Sequence, residues 1–198
     1  PGAGAKPGRA RWSRALIALS VMAFASFLCE GAVNDWSAVY LHSSLGAPAG
    51  LAAIGYTCFA VAMMTGRLCG DSLADRWGPR RLVRVSSGAA ALAWGAALIL
   101  GSVPAALAGL VVLGFGLASV VPNAFSRASH LGQTAASIAV VTFCGYAGML
   151  SGPAAVGTLA GAVTLPAALT VVAGLTAVVC VLSGALAPRG DPPAQAPE

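Results

Sequence analysis

The sequence predicts an all-α integral membrane protein of six transmembrane helices. Three observations carry this: a very apolar composition, its division into bilayer-length blocks, and basic residues confined to one side. Of 198 residues, 58% are hydrophobic and 9% charged, against roughly a quarter charged in soluble domains. A bilayer core of ~30 Å takes about 20 helical residues, and the apolar blocks reach that length. They lack the polar outer face a soluble bundle needs. The 25 glycines suit helices that approach closely in lipid.

In chain order the blocks span 13–41, 47–69, 82–100, 105–125, 134–160 and 165–187. Short links near 43–44, 101–104 and 161–164 join the first to the second, the third to the fourth and the fifth to the sixth. The other two links are a basic stretch, 70–81, and the segment 126–133. Residues 1–12 precede this bundle of 13–187, and the Pro-rich, polar stretch 188–198 reads as a disordered tail. The basic start and first apolar run mimic a signal peptide. Five further apolar segments and the lack of a clear small-residue cleavage site argue against one.

All eleven Lys and Arg residues fall on one face of this layout. Lys6, Arg9, Arg11 and Arg14 precede the first helix, and Arg67, Arg76, Arg80, Arg81 and Arg84 gather at the link between the second and third. Arg127 follows the fourth, and Arg189 the sixth. Such one-sidedness is the positive-inside pattern, which predicts a multi-pass plasma-membrane protein with both termini cytoplasmic. It also accounts for the net charge of +5, so no nucleic-acid partner is implied. Trp12, Trp36 and Tyr40 lie near the ends of the first helix, as interfacial aromatics do. Cys29, Cys58, Cys69, Cys144 and Cys180 stand singly, without metal-ligand spacing or a disulfide framework. They read as small packing residues, and neither a metal nor a cofactor is expected.

Between the second and third helices runs Leu73-Ala-Asp75-Arg76-Trp-Gly78-Pro-Arg80-Arg81. It resembles the cytoplasmic signature of the major facilitator superfamily, roughly G-x-L-A-D-R-x-G-x-R-R. Asp71 stands where that pattern has its leading glycine, and Gly70 lies one place early. Gly78 with Pro79 makes a sharp turn, and Asp75 with the arginines is expected to form a charge network at a junction that slides during gating. Residues 30–41, from Glu30 through Trp36 to Leu41, look like the seventh helix of bacterial members related to fucose permease. Gly148, Gly152, Pro153 and Gly157 are similar to the pattern with which the family bends helices. Gly permits close approach and Pro removes an internal hydrogen bond, so the segment is either a bend or a small-residue packing face.

The resemblance covers about residues 12–187. It implies half of a twelve-helix major facilitator fold, built as a 3+3 inverted repeat, with the C-terminal six helices favoured. Residues 1–12 would then be a remnant of the central cytoplasmic loop. The partners implied are the lipid bilayer, a missing N-terminal six-helix half, and a small-molecule substrate with or without protons.

Ionisable groups inside a membrane are costly and call for a reason. Glu30 is the main candidate, either in a cavity for substrate binding or proton coupling, or in a structural hydrogen bond. Asn34 shares its helix face at i+4, and Asp35 and Trp36 lie nearer the boundary. Tyr56, Asn123 and Tyr146 are further candidates for the same path. Asn123 follows Pro122 and alternatively satisfies backbone that the proline frees. Arg127 is the expected partner of Asp71 or Asp75 at the gating signature.

The function expected is secondary active transport of a small solute by alternating access. One alternative is a non-transporting scaffold or sensor of transporter descent. The remaining one is a membrane-embedded phosphotransferase, because Asp71 and Asp75 are faintly similar to the aspartates of alcohol phosphatidyltransferases. Those enzymes need further aspartates at helical spacing, and here the next acidic residue is Asp191.

Overall fold

The computed structural model describes residues 13–131 and 134–187. The expected end segments 1–12 and 188–198, with Lys6, Arg9, Arg11, Trp12 and Arg189, lie outside the described residues. Six helical segments are long and apolar enough to cross a membrane: Arg14–Ser44, Ala49–Trp77, Pro79–Leu100, Val103–Ser129, Ala135–Ala162 and Leu165–Leu186. Each overlaps one predicted block. Among the described residues there is no strand, so the all-α membrane fold stands.

The first span is α1 (Arg14–Val39), extended by a π turn at Tyr40–Ser44. Ser13 caps its start, its hydroxyl accepting the Leu16 N–H at 3.1 Å. The second and third spans are α2 (Ala49–Trp77) and α3 (Pro79–Leu100). The fourth divides into α4 (Val103–Leu117) and α5 (Val120–Ser129). The fifth is α6 (Thr134–Ala162). The sixth consists of α7 (Leu165–Ala168), α8 (Thr170–Leu182) and a closing 3₁₀ turn at Ser183–Leu186.

Helix extends through most of one expected link, 70–81, and into the first half of the other, at 126–129. Within 70–81 only Gly78 separates α2 from α3. Solvated charges on Asp71, Asp75 and Arg76 do not interrupt backbone hydrogen bonding, so α2 stops only where Gly78 takes φ 77°. A side chain rarely adopts that left-handed conformation. Pro79 then opens α3 at a position where its missing N–H costs nothing. In the same way α5 carries the fourth span through Ser129.

The break in the fourth span also has a local cause. Pro122 has no N–H to return to the Ala118 carbonyl, and the chain is non-helical across Ala118 and Ser119. In the sixth span, the Leu169 carbonyl at the α7–α8 break accepts the Trp94 indole N–H at 3.2 Å.

Packing pairs are related by an exchange of halves. The first span packs on the fifth and the fourth on the second; the third packs on the fourth and the sixth on the first; third and sixth meet each other. Each relation survives swapping spans one to three for four to six. An odd number of spans inverts the second unit in the membrane, which is the 3+3 inverted repeat. The first and fourth spans are the inner pair, 67% and 56% buried over their most apolar windows, against a third or less for the others.

Gly66 of α2 is a close approach of α2 to the end of the α4 segment, as is Gly114 of α4 against the Phe59 carbonyl of α2. A Cβ at Gly66 would lie 2.6 Å from the Ala118 Cβ and 3.2 Å from the Phe115 carbonyl oxygen. The glycine that makes close contact therefore precedes the signature, and Gly70 has no neighbour within 4 Å.

Candidate functional site

Glu30 lies near the middle of the first span, about 24 Å from Arg14 at 1.5 Å per residue. Its Oε2 is 3.7 Å from Nη2 of Arg67, the one ion pair among the described residues. Arg67 was expected with the basic cluster at the link. Because α2 continues to Trp77, Arg67 instead sits about 15 Å short of that helix's end. Helical side chains lean toward the helix N-terminus, which carries the guanidinium further inward to Glu30.

The pair borders a groove of about 280 Å³ between α1 and α2, lined also by Tyr56, Phe59, Met63 and Met64. The Tyr56 and Phe59 rings stack with centroids 6.2 Å apart and planes at 29°. Arg67 also places Nη2 3.2 Å from the Met63 sulfur. Its side chain is 48% exposed and that of Glu30 19%, so the pair is reachable from the groove. Sequence reasoning missed Arg67 as a site residue. The available signal was an arginine well before the Gly78 stop, on a stretch able to continue as helix.

The other candidates divide. Tyr56 joins Glu30 in the groove. Tyr146 of α6 stacks on Phe27, centroids 5.9 Å apart, and Phe27 lies one turn from Glu30 on the same side of α1. Asn34, a turn beyond Glu30, is exposed and donates to the Asp35 carboxylate at 3.0 Å. Asn123 turns inward to its own helix, its Nδ2 donating to the Ser119 carbonyl at 2.7 Å.

Trp36 does not sit free at an interface. Its indole N–H donates to the Pro153 carbonyl at 3.0 Å, and its ring covers Gly157, where a Cβ would come within 3.0 Å. Gly152 faces the Leu28 carbonyl at 2.5 Å from a would-be Cβ, and Gly148 faces the Phe24 carbonyl still more closely. Through Pro153, α6 remains one helix. These four positions line the α1–α6 seam: Gly148 and Gly152 meet α1 backbone, and Pro153 and Gly157 meet the Trp36 ring.

At the basic end, Asp71, Asp75, Arg76, Arg80 and Arg81 are exposed around Gly78. No pair of them forms an ion pair within 4.0 Å among the described residues, so the expected charge network is not made. Arg127 is not brought to Asp71 or Asp75 either. It sits on α5, which packs on α1 and α6 rather than on α2, and its Nε is buried without a hydrogen-bond partner.

These features define a multi-pass helical membrane protein with an inverted repeat and a charge pair inside its spans. The family model described as Major Facilitator Superfamily matches residues 19–198, and the chain belongs to that superfamily. It is 40% identical over 177 residues to the uncharacterized transporter y4wD of Sinorhizobium fredii, covering 86% of this chain and 46% of that protein. An uncharacterized MFS-type transporter of Yersinia pestis is 38% identical over 144 residues, 72% of this chain and 38% of its own length. Membrane protein MosC of Rhizobium meliloti is 33% identical over 152 residues, covering 76% and 37%. The chain thus spans less than half the length of these relatives. Their names lend no support to the finer resemblance to fucose permease. No solved structure matches the chain significantly.

Proposed function

We propose that the chain is the C-terminal six-helix half of a secondary transporter that moves a small solute across the plasma membrane by alternating access. In this reading a six-helix N-terminal half faces it, both termini are cytoplasmic, and Asp71, Asp75, Arg76, Arg80 and Arg81 belong to the gating junction. The observation that carries the reading is the Glu30–Arg67 pair, set deep in the first two spans yet open to a groove. The first span is otherwise the most enclosed of the six, but it leaves uncovered a stripe through Ile17, Val21 and Asn34, with Phe27 and Glu30 half-buried along it. An ionisable pair in such a stripe is expected to line a path rather than to face lipid.

Glu30 is assigned to solute binding or proton coupling, with Tyr56 and Tyr146 beside it. The test compares gradient-driven accumulation with downhill exchange in the whole polypeptide that carries this chain. Glu30→Gln should abolish accumulation and retain exchange if the carboxylate couples proton movement. Equal accumulation by variant and wild type would remove Glu30 from the coupling mechanism. Absence of transport of every solute tried, with the protein in the membrane, would favour a scaffold.

A further inference from the structure

The Glu30–Arg67 groove presents two opposite charges, and neither is saturated. At 3.7 Å the pair lies beyond the 2.7–2.9 Å typical of charge-assisted hydrogen bonds. Arg67 has five N–H donors, and the Met63 sulfur takes one of them. No donor among the described residues hydrogen-bonds the Glu30 carboxylate. Beside these charges lie the stacked rings of Tyr56 and Phe59 and the thioethers of Met63 and Met64.

A ligand entering this groove displaces water from both ions. A solute carrying only a negative charge would pair Arg67 and leave Glu30 opposed by a like charge. One carrying only a positive charge would do the reverse. Either leaves an ion uncompensated in a partly dry site, which is costly. A solute with both charges on neighbouring atoms satisfies both at once. Its carboxylate meets the planar guanidinium fork, which suits bidentate recognition, and its ammonium meets Glu30. Its remaining body then lies against the rings and thioethers, which favour an aromatic or flexible apolar group. From this geometry we propose that the groove is a binding site for a zwitterionic, amino-acid-like solute with an aromatic or aliphatic side chain. The proposal rests on the transport reading and names its substrate class.

The test measures binding to the whole polypeptide in lipid nanodiscs, by titration with phenylalanine, leucine, N-acetylphenylalanine, phenylalanine amide and glucose. Phenylalanine or leucine should bind best. N-acetylphenylalanine, which keeps only the negative charge, and the amide, which keeps only the positive one, should each bind roughly tenfold to a hundredfold more weakly.

The variants make the assignment specific. Glu30→Gln should erase the preference for phenylalanine over N-acetylphenylalanine, and Arg67→Gln should erase it over the amide. A reciprocal change of this kind is not produced by misfolding. The proposal is overturned if a singly charged analogue matches the zwitterion in the wild type, if glucose alone binds, or if nothing in the panel binds. It is also overturned if both variants weaken every ligand alike. Transport of a solute of another charge class would overturn it while leaving the transport reading intact. Zwitterion binding without transport would do the opposite.

Discussion

Trp36 on the first span holds Pro153 on the fifth, its indole N–H reaching the proline carbonyl at 3.0 Å. The contact lies beside a weak point in α6. Pro153 has no N–H for the Met149 carbonyl, and Gly31 of α1 approaches that carbonyl so closely that a Cβ would lie 2.5 Å from its oxygen. Two residues expected to serve a path and a bend are thus joined as a helix seam.

Trp36→Phe removes the hydrogen bond and keeps most of the ring. It should lower stability by about 0.5–1.5 kcal/mol, the usual net value of one hydrogen bond. Chemical denaturation in detergent micelles provides the measurement. Wild-type stability in Trp36→Phe would show that ring packing alone maintains the seam.

Gly148→Leu and Gly152→Leu should destabilise the bundle by about 1–3 kcal/mol or more, because backbone rather than a movable side chain occupies the space. Gly161→Leu and Gly174→Leu meet nothing within 4 Å and should leave the melting temperature nearly unchanged. Leu favours a helix more than Gly does, so similar losses at all four positions would show that close backbone contact at the seam is not what sets the effect.

The Glu30–Arg67 pair should show energetic coupling. Glu30→Gln and Arg67→Gln each leave one charge unpaired, whereas the double variant leaves none. Unfolding measurements should find the double variant more stable than the sum of single losses predicts, by about 1 kcal/mol for a half-exposed pair. Strict additivity would place the pair outside the forces that hold α1 to α2.

The spans were legible because a bilayer demands long apolar runs and the chain supplies six of them. Their ends were less so. Asp71 to Trp77 is polar enough to suggest a link, yet a helix continues wherever its charges find water and no residue forces φ positive. The break at Ser119 follows from Pro122, whereas at Leu169 the carbonyl is taken by the distant Trp94, a contact seen only in the tertiary structure. Glu30 stood out in the sequence as a carboxylate in an apolar run. Its partner did not, since the register of α2 against α1 decides which arginine arrives. The seam glycines were visible as a pattern whose use, bend or packing, depended on what lay opposite.

Orientation is open to a labelling test motivated by the basic residues at one end. In a background lacking Cys29, Cys58, Cys69, Cys144 and Cys180, Ser44→Cys and Ser102→Cys should react with an impermeant thiol reagent applied to intact cells. Trp77→Cys and Ser126→Cys should react only after the membrane is permeabilised. All four native residues are exposed, so accessibility within the bundle does not confound the result. Labelling of Trp77→Cys in intact cells would reverse the orientation.

The exchange of packing partners between the two halves bears on biosynthesis. The first span finds its most extensive neighbour in the fifth, which the ribosome completes more than a hundred residues later. At the 5–20 residues per second of translation, that interval lasts roughly 5–25 seconds. During it the α1 backbone that faces Gly148 and Gly152 has no α6 beside it. The second span, by contrast, follows at once and brings Arg67. The Glu30–Arg67 pair needs only the first two spans and so does not wait for the fifth helix.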